Sequence, residues 1–372
     1  MTSKERVLTA LDRREADRVP LDIGGINNTT MHHSIQTALK QRLNLQDNGT
    51  EIRATGQGVV VPDESLLEYF GADSRSLYFD ESLPWADNGD GTFTDMWGIG
   101  QKLNPDGYYY NMCFHPLQNA ETAADIAAYE FPPLTPRMTH GLRERAKKLS
   151  DKCLILEGFR EPMFGLPSWL RGMENFYVDL ALEDEKCGLL LDRILEYYKS
   201  FIDYIMAEVG EYVDIVKFAD DMGSQESLLL SPQSYRAIIK PRQAKLYGYV
   251  KQKYNKKVLL HCCGAIRPII GDLIEIGVDA LNPVQISANG MDPAELKAEF
   301  GGAITFWGGG IDTQSVLNGA SPEEVKRQVK KNLRSFKPGG GYVFAQVHNI
   351  VPGVPIDNIL AMYEAYKECA AY

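Results

Sequence analysis

The chain has 372 residues, enough for one large α/β domain or two of ordinary size. With 39 basic against 50 acidic residues its formal charge is −11; this field repels phosphate and no basic patch offsets it, so nucleic-acid binding is excluded. No run approaches about 18 consecutive apolar residues, which argues against a membrane span. The six cysteines show neither secreted-framework nor CxxC spacing and are read as reduced thiols of a cytoplasmic protein.

The opening "MTSKERVLTALDRREADRVP" is charged from Lys4 onward and lacks a signal-peptide core. Thr2 and Glu5 stand at capping-box spacing ahead of Val7, Leu8 and Leu11, which predicts a helix with one apolar face. "RVPLDIGG" (18–25) and "GQGVVVP" (56–62) are read as strands. Region 77–118 is rich in aromatics and carries "NGDGT" and "NPDG" turns, so it is expected to be a hairpin excursion that either roofs a site or forms a satellite core. From residue 150 onward, apolar runs alternate with amphipathic segments. "CLILEG" (153–158), "VDIVKFADD" (213–221), "KVLLHCCG" (257–264), "VDALNPV" (278–284), "AITFWGGG" (303–310) and "YVFAQVHNI" (342–350) are expected to be strands buried on both faces.

The intervening helices carry start and stop chemistry. One spans 183–209 and ends at Gly210, read as a left-handed terminator. Others begin at Ser231-Pro232, at Asp292-Pro293 (ending at Gly301), and at Ser321-Pro322 with Glu324. This β–α alternation implies a parallel sheet flanked by helices. No GxGxxG or P-loop turn follows any strand, so a single distorted (β/α)8 barrel over residues 1–372 is favoured over an open doubly wound sheet.

Side-chain alternation points His261 and Cys263 into the same space, with Cys262 opposite, at the C-terminal end of a strand where β/α barrels build their sites. Extending the alternation from Tyr342 through Phe344 and Gln346 puts His348 at a second strand end on that rim. Imidazole, thiolate and imidazole suit Zn²⁺, and three protein ligands with an open fourth position is the catalytic pattern. The same spacing also fits a buried imidazole bonded to a neighbouring carbonyl, and both readings stand. Further rim candidates are Glu157, Asp220 (favoured over Asp221), Asn282, Gln285 and Asp312. The glycines 308–310 would allow close backbone approach to a ligand or simply a tight turn. Trp85, Trp97, Trp169, Met163 and "YYY" (108–110) would line an apolar pocket or belong to the core.

With those residues in view, the chain resembles the uroporphyrinogen decarboxylase superfamily, in its corrinoid-linked methyltransferase-like branch. The likeness rests on the opening segment together with "ADDMGSQESLLLSPQSYRAIIKPRQAKL", "HCCG", "FWGGGIDTQ" and "FAQVHNIVPGVPIDNILAMYEA". It implies a distorted (β/α)8 barrel, with zinc held by an H-x-C pair matched here by His261 and Cys263. A third ligand follows near the C-terminus, where His348 stands in place of those enzymes' further cysteine. True decarboxylases carry arginines in a stretch resembling "RQAGRY", whereas this chain has "LDIGGINNTT".

The resemblance implies a zinc-dependent methyltransferase acting between a small substrate and a separate corrinoid protein, since no DxHxxG corrinoid motif occurs in the chain. The substrate would be a methoxylated aromatic, as in O-demethylase systems, another methyl donor, or a thiol. Asp220 or Glu157 would orient it or handle its proton, with Asn282, Gln285, Asp312, Trp169 and Met163 around it. The alternatives are metal-free decarboxylation of an acidic tetrapyrrole and a non-catalytic barrel that binds its partner. A homodimer is compatible with the sequence.

Overall fold

The computed structural model describes residues 1–46, 49–54, 57–79, 85–105, 110–159 and 161–372. Seven parallel strands form one sheet whose spatial order follows the chain: Ser74–Tyr78, Cys153–Glu157, Ile215–Ala219, Lys257–His261, Ala280–Asn282, Thr305–Trp307 and Tyr342–Val343. The order never reverses, so the sheet has no switch point of the doubly wound kind and curls as a barrel does. The gap between the outer strands is spanned by residues 20–22. Phe344 N donates to Pro20 O (2.8 Å) and Asp22 N to Phe344 O (2.9 Å), while Asp73 N donates to Leu21 O (2.8 Å) on the other side.

That stave is less regular than the strand expected at 18–25. Only isolated bridges form there, because Pro20 has no N–H to donate and Gly24 turns the chain at φ +66°. The strand expected at 56–62 lies outside the barrel: Val59–Val61 pairs antiparallel with Glu51–Ala54. Its place is taken by Ser74–Tyr78, whose polar residues bond other buried groups. Ser74 Oγ donates to Asp22 Oδ1 (2.6 Å), and Ser76 Oγ donates to Glu157 Oε1 (3.0 Å).

The helix Ser3–Leu11 forms with the expected Thr2–Glu5 capping box. Its Val7, Ala10 and Leu11 pack with Cys153, Ile155, Ile215, Leu259, Ala280, Trp307 and Val343, so the helix fills the N-terminal end of the barrel. This cluster also fixes which strand residues point inward: Ile155, Ile215, Leu259 and Ala280, and therefore Glu157, Lys217, His261 and Asn282 two positions on. The long helix Glu185–Val209 starts on an Asp184 cap; Gly210 follows it at φ −57°, right-handed rather than left-handed as expected. Ser321 and Glu324 form a second capping box. After Ser231 the chain winds through a wide turn at Tyr235–Ile239 before Lys240–Tyr254, in keeping with Pro241, which lacks the N–H for a regular ladder.

Between the first two barrel strands, Ala86–Asp87, Thr92–Thr94, Gly100–Leu103 and Tyr110–Phe114 form a four-stranded antiparallel sheet rather than one hairpin. Trp97 is buried against Tyr197 and Tyr198 of the long helix, with centroids at 5.3 and 6.3 Å, and Trp85 meets Tyr110 at 5.0 Å. Trp97 thus joins the main core, while Trp85, Phe93 and Tyr110 form a small aromatic cluster of their own. Tyr108, Tyr109 and part of the "NPDG" turn lie outside the described residues. Among the described residues, no helix is long and apolar enough to cross a membrane.

Candidate metal centre

His261, Cys263 and His348 meet at the C-terminal mouth of the barrel, with one donor atom from each lying within 4.8 Å of the others. His261 ends its strand and points inward. Asn282, on the neighbouring strand, donates its Nδ2 to Trp307 O (2.9 Å), which leaves its Oδ1 facing His261 Nδ1 at 2.6 Å. An oxygen there can only accept, so Nδ1 carries the imidazole proton and the Nε2 lone pair faces Cys263 Sγ, 3.3 Å away. A tetrahedral zinc site separates nitrogen and sulfur ligands by about 3.5 Å. The donor set and its orientation therefore fit a borderline divalent ion.

His348 arrives by another route than the expected one. The regular strand stops at Val343, and it is Val343 that faces inward, while Tyr342 and Phe344 pack outward against Phe336 and Tyr366. Irregular backbone then carries His348 to the mouth, where its ring meets that of His261 edge-on at 5.6 Å and Asn28 Nδ2 lies 3.3 Å from its Nε2.

Burial sets the charge states. It pulls His261 down to about 3, helped by the positive charge of Lys217, and His348 down to about 4, helped by His261. Both imidazoles are neutral ligands at physiological pH. Burial, with the negative charge of Asp221 beside it, pushes the Cys263 thiol well above its ordinary range.

The other expected site residues are placed differently. Asp220 does not reach the mouth. Its Oδ1 accepts from Met163 N (3.0 Å) and Phe164 N (2.7 Å), and its Oδ2 accepts from Gln243 Nε2 (2.9 Å), so it pins one buried loop to a helix. Asp221 takes the position expected for Asp220: its Oδ1 accepts from Cys263 N (2.8 Å) and lies 3.6 Å from His261 Nε2. Glu157 is buried in an ion pair with Arg53 and also accepts from Asn27 N (2.8 Å). Gln285 Oε1 accepts from Gly264 N (2.9 Å), fixing the loop after Cys263. Asp312 accepts from Gln314 N (2.9 Å) and from Ser315 Oγ, closing its own turn. Met163 is core, and the carbonyl of half-buried Trp169 accepts from His115 Nδ1 (2.6 Å). The glycines at 308 and 310 serve backbone packing: a Cβ on Gly308 would lie 2.3 Å from Pro283 O, and one on Gly310 would lie 2.7 Å from Ala345 O.

Lys217, whose position in an apolar run hid it, is the inward-facing residue one layer beneath His261. It is 6% exposed, and burial pulls it down to about 8.

A family profile described as "Uroporphyrinogen decarboxylase (URO-D)" matches residues 116–369, more than half of the chain. The chain belongs to this family. Among curated relatives, the chain is 28% identical over 233 residues to "Methylcobamide:CoM methyltransferase MtaA" of Methanosarcina barkeri, the match covering 63% of each. It is 29% identical over 185 residues to a "Uroporphyrinogen decarboxylase" of Ruthia magnifica subsp. Calyptogena magnifica, covering 48% of each. The chain thus spans under two thirds of the length of these relatives. A solved structure titled "methyltransferase from Methanosarcina mazei" superposes with a TM-score of 0.69 at 19% identity, covering 99% of both chains, and shares the fold.

Within this family member, Asn282→Ala is expected to free the His261 ring while leaving all three donor residues present. Zinc affinity, measured by chelator competition, should fall about 10–100-fold.

Proposed function

We propose that this chain is a zinc-dependent methyltransferase that moves a methyl group between a small substrate and a corrinoid carried by a separate protein. The substrate would be a methoxylated aromatic, another methyl donor, or a thiol. The observation that carries this reading is the convergence of two imidazoles and one thiol at the barrel mouth, with the His261 lone pair turned toward Cys263 by Asn282. The activity for which the Methanosarcina barkeri relative is named supports it.

His261, Cys263 and His348 would hold the ion. Bound zinc supplies positive charge that stabilises a leaving oxygen or lowers the pKa of a thiol. Asn282 keeps the His261 proton on Nδ1 and away from the ligand face. Asp221, at the mouth and only partly buried, is the carboxylate placed to accept a proton from a substrate hydroxyl or thiol. Gln285 holds the Gly264 turn that presents Cys263.

Metal analysis of protein purified without added metal should give about one zinc per chain. Methyl exchange between a free corrinoid and a thiol or methoxylated aromatic should then be detectable. Because burial holds both imidazoles neutral down to about pH 4 and holds the thiol protonated, zinc uptake should release one proton. Affinity should therefore rise about tenfold per pH unit from roughly pH 5 to 8. A slope of two or more would show that the imidazoles are protonated in the metal-free protein.

A second reading, decarboxylation of an acidic tetrapyrrole, is favoured by the relatives that bear that name. It requires several free cations to meet the many carboxylates of such a tetrapyrrole, whereas Arg53 is already paired with Glu157 and, among the described buried cations, Lys217 alone is unpaired. A zinc-free protein that releases CO2 from uroporphyrinogen would establish it in place of the first.

A further inference from the structure

We infer that Lys217 anchors an acidic group of the substrate, so that the molecule taken into the barrel mouth is a small carboxylate or sulfonate and not a neutral ether or thiol. The inference rests on the methyl-transfer reading of the same mouth and narrows its substrate class.

Among the described residues, no hydrogen bond or ion pair is made by the Lys217 ammonium, although the side chain is 94% buried (6% exposed). Buried ammonium groups are costly unless paired. Other buried cations of this chain obey that rule. Arg53 is paired with Glu157, Arg171 with Asp179 (2.7 Å), Lys40 with Asp63 (2.6 Å), and Arg6 with Asp73 (2.6 Å). Among the described residues Lys217 is the exception, and it occurs in the inner layer next to the candidate centre.

Register sets the height. Lys217 lies opposite Leu259 and Ala219 lies opposite His261, so the Lys217 backbone is two residues, about 6–7 Å, below the His261 layer. A four-carbon stem directed along the barrel axis spans that rise. Its positive charge is felt by both imidazoles, by Cys263 and by Asp221. The carboxylates that feel it, Glu161 and Asp221, stay beyond ion-pair distance, and Asp221 is engaged by Cys263 N (2.8 Å). Glu161 in turn accepts from Asp221 N (3.1 Å). A positive charge beside a dication site raises the cost of metal binding, so an anion that neutralises it relieves both. An acid seated on Lys217 leaves the other end of a short molecule facing His261, Cys263 and His348.

The test is calorimetric and does not require turnover. Two matched probe pairs, 3-mercaptopropionate with 3-mercaptopropanamide and 3-methoxypropionate with 3-methoxypropanamide, are titrated into the full chain with and without one equivalent of zinc. In each pair the acid should bind about tenfold or more tightly than the amide. Lys217→Met should erase that preference and Lys217→Arg should keep much of it, with unchanged thermal midpoints showing that both variants fold. The methoxy pair lacks a thiol, so its preference for the acid is read independently of zinc; loss of zinc binding alone would overturn the proposed function and leave this inference standing. Equal binding of acid and amide, an acid preference that survives in Lys217→Met, or no binding of either acid at millimolar concentration would overturn it.

Discussion

Under the proposed chemistry, Cys263→Ser is expected to abolish zinc binding and methyl transfer. The sulfur is the one soft donor in the set and faces the free lone pair of His261 at 3.3 Å. A serine hydroxyl at that place does not ionise near neutral pH, so the ion would keep two neutral imidazoles and no anionic ligand. Affinity should fall by about two orders of magnitude or more, beyond the effect of an orienting residue such as Asn282. Cys262 supplies the control. It is the adjacent thiol, but it is buried on the other side of the strand end, where its sulfur lies 3.5 Å from Met222 N. Cys262→Ser should retain stoichiometric zinc. Full zinc content in Cys263→Ser, with an affinity matching the parent, would remove the basis of the proposed chemistry.

Asp220→Ala should be the most destabilising single change among the residues discussed. Three N–H donors converge on this carboxyl, and Gln243, one of them, is itself bonded by Tyr235 Oη at 3.0 Å. Truncation strands all three in a buried place where water does not replace the acceptor. At about 1–3 kcal/mol for each stranded group, partly relieved by local shifts, the loss should come to roughly 3–5 kcal/mol by urea denaturation. Burial pushes the Asp220 carboxyl from its ordinary 3.8 up to about 7, against the pull of those donated bonds. The folded chain therefore holds this proton more tightly than the unfolded one. The contribution is full below about pH 4 and is lost as pH rises through about 7. The stability gap between parent and Asp220→Ala should narrow over that interval, and a gap that widened toward neutral pH would show the carboxyl to be ionised in the folded state.

Apolar runs were a good guide to the strands from residue 153 onward because the lower barrel layer is apolar: Ile155, Ile215, Leu259 and Ala280 fill it. They were a poor guide where the wall carries polar groups. Ser74–Tyr78 offers no apolar run because its serines bond the buried Asp22 and Glu157, while Val59–Val61 reads as a strand of the barrel although it belongs to a peripheral hairpin. Alternation placed His261 and Cys263 in one space, and it failed one residue past the end of a strand. The strand Ile215–Ala219 stops before Asp220, so the parity that favoured Asp220 over Asp221 no longer held. His348 reaches the cluster through irregular chain that a period of two cannot describe. Lys217 was passed over because one charged residue inside "VDIVKFADD" does not break an apolar run, and only the fold shows which face it occupies.

The helix Ser3–Leu11 closes one end of the barrel with Val7, Ala10 and Leu11. Access to His261, Cys263 and His348 from that end is thereby closed, and under the proposed chemistry two visitors would share the opposite mouth: the small molecule and the face of a cobalt-bearing protein. The larger visitor, once seated, would block exchange of the smaller. Loading should therefore be ordered, with the small molecule first in and last out, and excess corrinoid protein should slow turnover by covering that mouth.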